Sequence, residues 1–202
     1  MKGTRFCCMT CTVTELVDVL LTEGKKCPHG FVVNPIKMMK YCSVCGTALE
    51  LRFLKDEGKE IPFCPVCGEY SFEMFNVAIC VAVFTPKCDK VMMMRQYGRQ
   101  KYNFLGGYVN KGESSEAALL REMKEEMGMI PLCYEPLFTQ YYAPSNTLML
   151  AYYAEVADED LSHRNVEEVD DARWFTYPEA SDAVLKGAVA ERLLKEVSNR
   201  FK

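Results

Sequence analysis

Glu122, Glu125 and Glu126 stand at i, i+3 and i+4 in a stretch of helical periodicity, 114–127, so a helix there puts three carboxylates on one face. Leu119, Leu120, Met123 and Met127 fall on a different face and form an apolar stripe that would turn to a core. Carboxylates this close repel one another, and Arg121 and Lys124 give less alternation of sign than a plain surface helix shows. Hard divalent cations with oxygen ligands remove that repulsion. The face therefore suits one or more magnesium ions bridging to a substrate phosphate. For the helix taken alone, a solvated acidic surface is the alternative. Ser114 or Ser115 caps its start, Gly128 stops it, and Gly106 and Gly107 allow a sharp loop leading in.

A second group is Cys42-x2-Cys45 and Cys64-x2-Cys67, the two pairs separated by 18 residues and each followed by glycine, Gly46 and Gly68. Each pair points two thiolates at one point, and two such knuckles give the four-sulfur shell that zinc accepts. A shell with no open position makes this zinc structural rather than catalytic. A thioredoxin-type redox pair explains two matched knuckles less well than one shared metal. Zinc ribbons also bind nucleic acid or protein, but this segment has no marked basic excess.

These groups need elements to position them. Residues 40–70 read as two turns joined by a short hairpin with 55–60 as its exposed tip. From residue 71 the runs 75–84, 90–97 and 102–107 read as short strands, with 136–143, 147–156 and 172–175 after the carboxylate helix. Helices are expected over 177–185 and 188–201, the second with Val189, Leu193, Leu194 and Val197 at helical spacing. Strands mixed with a few helices, not strictly alternating, predict an α/β (α+β) layer fold with a mixed sheet. The domains are then an extension over 1–37, a zinc ribbon over 38–70 and a larger domain over 71–202.

In the extension, Thr14 could cap a short helix over 15–21 that Gly24 ends. Cys7, Cys8, Cys11, Cys27 and His29 lie there and read either as a second metal site or as free thiols on a weakly ordered segment. Met38 and Met39 offer a possible later start. Cys80, Cys88 and Cys133 read as small packing residues, and His163 has no assigned role.

Bulk properties narrow the class. The 202 residues hold 24 basic and 28 acidic side chains, a net charge of −4, without the basic balance of a duplex nucleic-acid binder. No apolar run reaches 18 residues, so no membrane span is expected. Eleven cysteines without a secretory signal favour reduced thiols, metal binding and a cytoplasmic location.

Gly107, Glu113, Arg121, Glu122, Met123, Glu125, Glu126, Gly128 and Met129 match the pattern G-x5-E-x7-R-E-U-x-E-E-x-G-U, with U apolar, at all nine defined positions. Over roughly residues 40–200 the chain resembles the Nudix hydrolases. The resemblance implies a Nudix fold, a mixed sheet sandwiched between helices, preceded here by the small zinc ribbon. It implies hydrolysis of the diphosphate linkage in a nucleoside diphosphate derivative with magnesium or manganese. Glu122, Glu125 and Glu126 would bind the metal, with the Gly106 carbonyl as a further ligand. Glu113 would support the loop or the metal shell, and Arg121 would orient the glutamates by salt bridge. The metals would activate a water for attack on phosphorus and neutralise the leaving phosphate. The family pattern E-x-x-x-A-x-W-F fits Glu168, Ala172, Trp174 and Phe175. Glu168 is thus a further metal ligand or the general base, against the alternative of a surface glutamate in the acidic run 167–171.

A ribbon directly before such a domain resembles the NADH pyrophosphatase branch, as does Leu105-Gly106-Gly107-Tyr108 beside that branch's L-A-G-F. The branch carries S-Q-P-W-P-F-P-x-S after the box. Here the corresponding stretch is 139–147, in which Gln140 matches, Tyr142 replaces tryptophan, and the prolines and phenylalanine are out of register. Arg95 on phosphate, and Phe104, Tyr108, Gln140, Tyr141 and Tyr142 around a base or nicotinamide, complete the expected substrate site. Core or rim packing is the alternative for each aromatic, and an exposed strand-end charge for Arg95. The expected partners are a small nucleotide substrate such as NADH, NAD or ADP-ribose, NAD-capped RNA, and a second copy in a homodimer. Two other functions compete: a non-catalytic nucleotide-sensing module, and a ribbon-driven RNA- or protein-binding factor.

Overall fold

The computed structural model describes residues 39–72 and 74–201, so the expectations for 1–37, including Cys7, Cys8, Cys11, Cys27 and His29, lie outside the described residues. The chain divides between Phe75 and Asn76 into two units.

In the first unit, β1 (Glu50–Leu54), β2 (Lys59–Cys64) and β3 (Glu69–Tyr70) form an antiparallel sheet in that order. The charged turn after Leu54 joins β1 to β2, and the register pairs Leu54 with Lys59 and Glu50 with Phe63. The two knuckles close alike: Gly46 N donates to Cys42 O and Gly68 N to Cys64 O, both at 2.9 Å.

The second unit is built on a five-stranded mixed sheet. Its strands are β4 (Asn76–Phe84), β5 (Val91–Gln96), β6 (Cys133–Tyr142), β7 (Thr147–Glu155) and β8 (Val169–Phe175), in the order β6-β7-β4-β5-β8. Only β4 and β7 run parallel; the other neighbours are antiparallel. Side chains alternate across a strand, and β4 and β5 are apolar at nearly every position because both faces are covered. Ile79, Val81, Val83, Met92 and Met94 pack in one buried cluster with Leu119, Met123 and Met127 of helix α1 (Ser115–Met127). Cys80, Ala82, Phe84, Val91 and Met93 pack in a second, with Ala180 of α2 (Tyr177–Ala183) and Leu193 and Leu194 of α3 (Val189–Glu196). The sheet is therefore sandwiched between helices, as expected.

Several details depart from expectation. The run 102–107 is not a strand; with 108–109 it lies along β4 and β5 through isolated bridges. β4 and β5 pair directly only at Val83–Met92 and Phe84–Val91, and beyond that point this segment supplies the missing partners. Ile79 N donates to Gly107 O at 2.9 Å, Val81 N to Leu105 O at 2.8 Å and Met94 N to Asn103 O at 2.9 Å. Leu120 is 41% exposed and leaves the apolar stripe; buried Ala118 joins it instead. Helix α3 ends at Glu196, and a 3-10 turn over Ser198–Arg200 takes the rest of the expected span. Cys80 and Cys88 are buried, but Cys133, expected as packing, is exposed at the start of edge strand β6. Burial pushes the Cys80 thiol up to about 12.

Candidate metal and active site

The loop before α1 and the first turns of the helix are organised around one guanidinium. Arg121 Nε donates to Glu113 Oε1 at 2.8 Å and Nη2 to Glu113 Oε2 at 3.0 Å. Nη1 reaches Glu122 Oε1 at 2.8 Å and Glu125 Oε2 at 3.1 Å, and Nη2 also donates to Tyr108 O at 3.0 Å. Glu113 accepts in addition from Asn110 N at 2.9 Å, and Arg121 and this amide hold its carboxyl down at about 2. Arg121 thus collects three glutamates and fixes the loop, while its own proton is held more tightly than usual, chiefly by Glu113.

The helix that presents these groups is set by its ends. Ser114, not Ser115, is the cap, accepting from Ala117 N at 3.2 Å; Ser115 instead contacts the Tyr152 hydroxyl at 2.8 Å. Gly128 closes the helix at φ 68, and its N–H returns to Lys124 O and Met123 O. The loop approaches the helix closely enough that a Cβ on Gly107 would lie 1.9 Å from Glu122 Oε1, so this carboxylate occupies the space a side chain would need. A Cβ on Gly106 would likewise stand 2.7 Å from Ile79 O.

Glu126 differs from its neighbours. It is 3% exposed, the one buried carboxylate of the described residues. Oε1 accepts from Gln96 Nε2 at 2.6 Å, and Oε2 is buried with no partner. Burial raises its carboxyl to about 7, and the charges of Glu122, Glu168 and Glu125 push the same way. Its backbone carbonyl accepts from Asn165 N at 2.8 Å, and Glu168 N donates to Asn165 O at 3.3 Å. The loop carrying exposed Glu168 is therefore tied to the end of α1. The same loop packs on Gly128, where a Cβ would lie 2.6 Å from His163 Cβ.

An orphaned buried oxygen, a partly screened cluster of carboxylates and a glycine-lined loop are the donor set that a hard divalent cation accepts. The chemistry of these donors fits such an ion, although among the described residues only the four cysteines, and no three of the glutamates, bring their ligand atoms within 4.8 Å of one another.

The expected substrate residues separate into two groups. Tyr108 is 55% exposed beside the carboxylates, with its carbonyl on Arg121. Arg95, Gln140 and Tyr142 belong to the other face of the sheet. Arg95 Nη2 pairs with Asp171 Oδ2 at 3.2 Å, and the guanidinium lies over the Tyr102 ring. Gln140 Oε1 accepts from Arg192 Nη1 at 3.0 Å. Register nevertheless brings Gln140, Tyr142 and Tyr108 to one end of the sheet: Tyr142 pairs with Thr147 and that with Asn76 at the start of β4, Gln140 pairs with Met149 and that with Ala78, and Ala78 bridges Tyr108. Tyr141 turns the other way and donates to Asn146 Oδ1 at 2.7 Å. Phe104 is a correction. At 2% exposure, packed in the cluster with Phe84, Met93 and Val184, it has no face to offer a ligand.

Sequence reasoning missed Gln96 and Asn165. Gln96 had a usable signal: in alternation it continues the side of Met92 and Met94, which face α1, so a polar residue there needs a partner on that helix. Asn165 acts through its backbone and had none.

In the ribbon unit, Cys42, Cys45, Cys64 and Cys67 place all four sulfurs within 4.8 Å of one another. The Cys45–Cys64 and Cys42–Cys67 sulfur distances are 3.5 and 3.9 Å. A tetrahedral site with metal–sulfur bonds of about 2.3 Å requires sulfurs roughly 3.8 Å apart, so the cluster can hold a metal. Among the described residues no helix is long and apolar enough to cross a membrane.

A helix–sheet–helix sandwich with carboxylates on the helix that follows a glycine loop defines the second unit as a Nudix-type domain. The family model for the NUDIX domain matches residues 74–196, and the chain belongs to that family. It is 29% identical over 142 residues to the NAD-capped RNA hydrolase NudC of Stutzerimonas stutzeri, covering 69% of this chain and 49% of the relative. It is also 29% identical over 161 residues to the protein of that name from Deinococcus radiodurans, covering 78% and 56%. The chain thus spans about half the length of these relatives. Among solved structures, a NUDIX hydrolase from Nitrosomonas europaea matches at TM-score 0.57 and 18% identity, covering 80% of this chain and 93% of that one. The NUDIX domain of Shewanella oneidensis NrtR, complexed with ADP ribose, matches at TM-score 0.55 and 18% identity, covering 69% and 94%. These two likenesses bear on the fold.

Proposed function

We propose that this protein hydrolyses the diphosphate linkage of a nucleoside diphosphate derivative with magnesium or manganese. Glu122, Glu125 and Glu126, together with the Gly106 carbonyl, hold the metal. The observation that carries this reading is Glu126 Oε2, buried and without a partner beside glutamates whose charges it feels. A buried polar atom left unsatisfied costs about 1–3 kcal/mol, and a divalent cation would satisfy it and offset the neighbouring charges together. When bound, the ion polarises the phosphate and lowers the pKa of the attacking water. Arg121 keeps Glu113, Glu122 and Glu125 in one arrangement throughout. Glu168, exposed on a loop tied to α1, is the group for taking the proton from that water. Tyr108 offers a ring on which a base or nicotinamide stacks.

The names of the relatives bring NAD-capped RNA into the set of substrates, beside NADH, NAD and ADP-ribose. The domain plan in this reading is an extension over 1–37, a ribbon over 38–70 with a structural zinc on Cys42, Cys45, Cys64 and Cys67, and the hydrolase over 71–202. The test is a magnesium-dependent panel of NADH, ADP-ribose, diadenosine polyphosphates, nucleotide sugars and NAD-capped RNA, with products identified by mass. Cleavage at the diphosphate, abolished in folded Glu126→Gln, is expected. Tight nucleotide binding with no product from any member would replace the hydrolase by a nucleotide sensor.

A further inference from the structure

Gln96 is the last residue of β5, a strand otherwise apolar up to Arg95. Its side chain follows Met92 and Met94 toward α1, where an apolar residue would complete the buried cluster. An amide stands there instead, and its Nε2 donates to Glu126 Oε1 at 2.6 Å. A donor bound to a carboxylate in a buried setting makes a strong, orienting hydrogen bond. The bond uses one oxygen of Glu126 and leaves the other, Oε2, buried and unpartnered.

The strand end that carries Gln96 is itself fixed. The β5–β8 register runs Arg95 to Asp171 and then Gln96 to Val169, so Asp170 is the extra residue of a bulge. Asp170 Oδ2 accepts from Gly98 N at 2.8 Å, which clamps the turn immediately after Gln96. Glu126 is held from a second side, its carbonyl accepting from Asn165 N at 2.8 Å. The amide donor and its acceptor are therefore each anchored through elements other than their own.

We infer that Gln96 is a positioning residue of the metal site: it fixes the rotation of the Glu126 carboxylate so that Oε2 alone faces the cation. The inference rests on the reading that the glutamate cluster binds divalent metal. Partners of this kind act through the ligand they orient, and losing one typically weakens metal binding or activity by about 10–100-fold. A packing role is the competing explanation, and shape separates the two. Gln96→Met keeps the length and volume of the side chain and removes the N–H. Gln96→Glu keeps the shape and replaces the donor with an acceptor. Gln96→His returns an N–H at similar reach.

The experiment is Mn2+ binding to the full chain followed by electron paramagnetic resonance, with thermal unfolding in chelator as the check on folding. Wild-type protein is expected to bind Mn2+ and Glu126→Gln to lose it. Gln96→Met and Gln96→Glu are expected to bind roughly 10–100-fold more weakly, and Gln96→His within severalfold of wild type. If either Gln96→Met or Gln96→Glu, whichever folds, binds as wild type does, the inference is overturned while the metal site stands. If wild type binds no Mn2+, the metal reading fails and this inference with it.

Discussion

Arg121 and Glu113 are joined by two parallel hydrogen bonds, Nε to Oε1 at 2.8 Å and Nη2 to Oε2 at 3.0 Å. The fork also reaches Glu122, Glu125 and the Tyr108 carbonyl. An ammonium cannot reproduce this planar set of donors. Arg121→Lys is expected to lower kcat/KM by roughly 10–100-fold although charge is kept, and to lower the melting temperature. Steady-state kinetics beside a thermal melt checks this. A variant with full activity would remove Arg121 from the organisation of the site.

Glu126 ties stability to pH. In the metal-free protein its carboxyl sits near 7, against an ordinary value of 4.5. Between those values the folded state keeps a proton that the unfolded state has released, so stability falls as pH rises from 4.5 through 7. Glu126→Gln removes that slope. In chelator the variant is expected to melt above wild type at pH 8, by roughly 1–3 kcal/mol in stability, and alongside it below pH 4.5. Added magnesium should raise only the wild type and so reverse the order. Melts at the two pH values, with and without metal, decide it.

The four-cysteine cluster predicts one metal bound there. Purified protein should carry zinc, and Cys64→Ser should lose one equivalent of it. Because four thiolates leave no open position, kcat should change by no more than a few-fold. Zinc released by a thiol-modifying reagent gives the stoichiometry. A loss of turnover that tracks zinc loss in an otherwise folded Nudix domain would overturn the structural assignment.

Tyr108 and Phe104 are expected to answer differently to truncation. Tyr108→Ala removes an exposed stacking face, worth about 1–3 kcal/mol per base where such contacts are measured. KM should rise roughly tenfold or more with kcat little changed. Phe104→Ala removes a core ring and should cost about 3–5 kcal/mol of stability, with KM unmoved where the protein remains folded. Denaturant titration and kinetics on both variants separate the two roles.

The parts of this molecule legible in sequence are those fixed by short spacings. The carboxylate helix, its caps and the cysteine knuckles each depend on residues a few positions apart, and each formed as expected. What depended on distant partners was harder. Glu126 shares a helical face with Glu125, yet one is buried and the other exposed, because β5 and the Asn165 loop cover one edge of that face. Phe104 reads in sequence either as a stacking face or as packing; the structure turns it inward between β5 and the C-terminal helices. Cys133 opens an edge strand, so among the described residues a residue type that usually packs has no strand beyond it. Gln96 is readable by strand alternation, but only once the strand is known to lie against α1, which no short spacing reveals.

Gly128 closes the carboxylate helix in a left-handed conformation, and His163 rests on the bare side of it. One position thus answers to two unrelated demands, the torsion that ends a helix and the contour on which a distant segment lands. An alanine there would meet both objections at once, and the dislodged segment is the one that delivers Glu168. The last glycine of the motif is therefore enforced from outside the motif, by a part of the chain more than a whole strand pair further along.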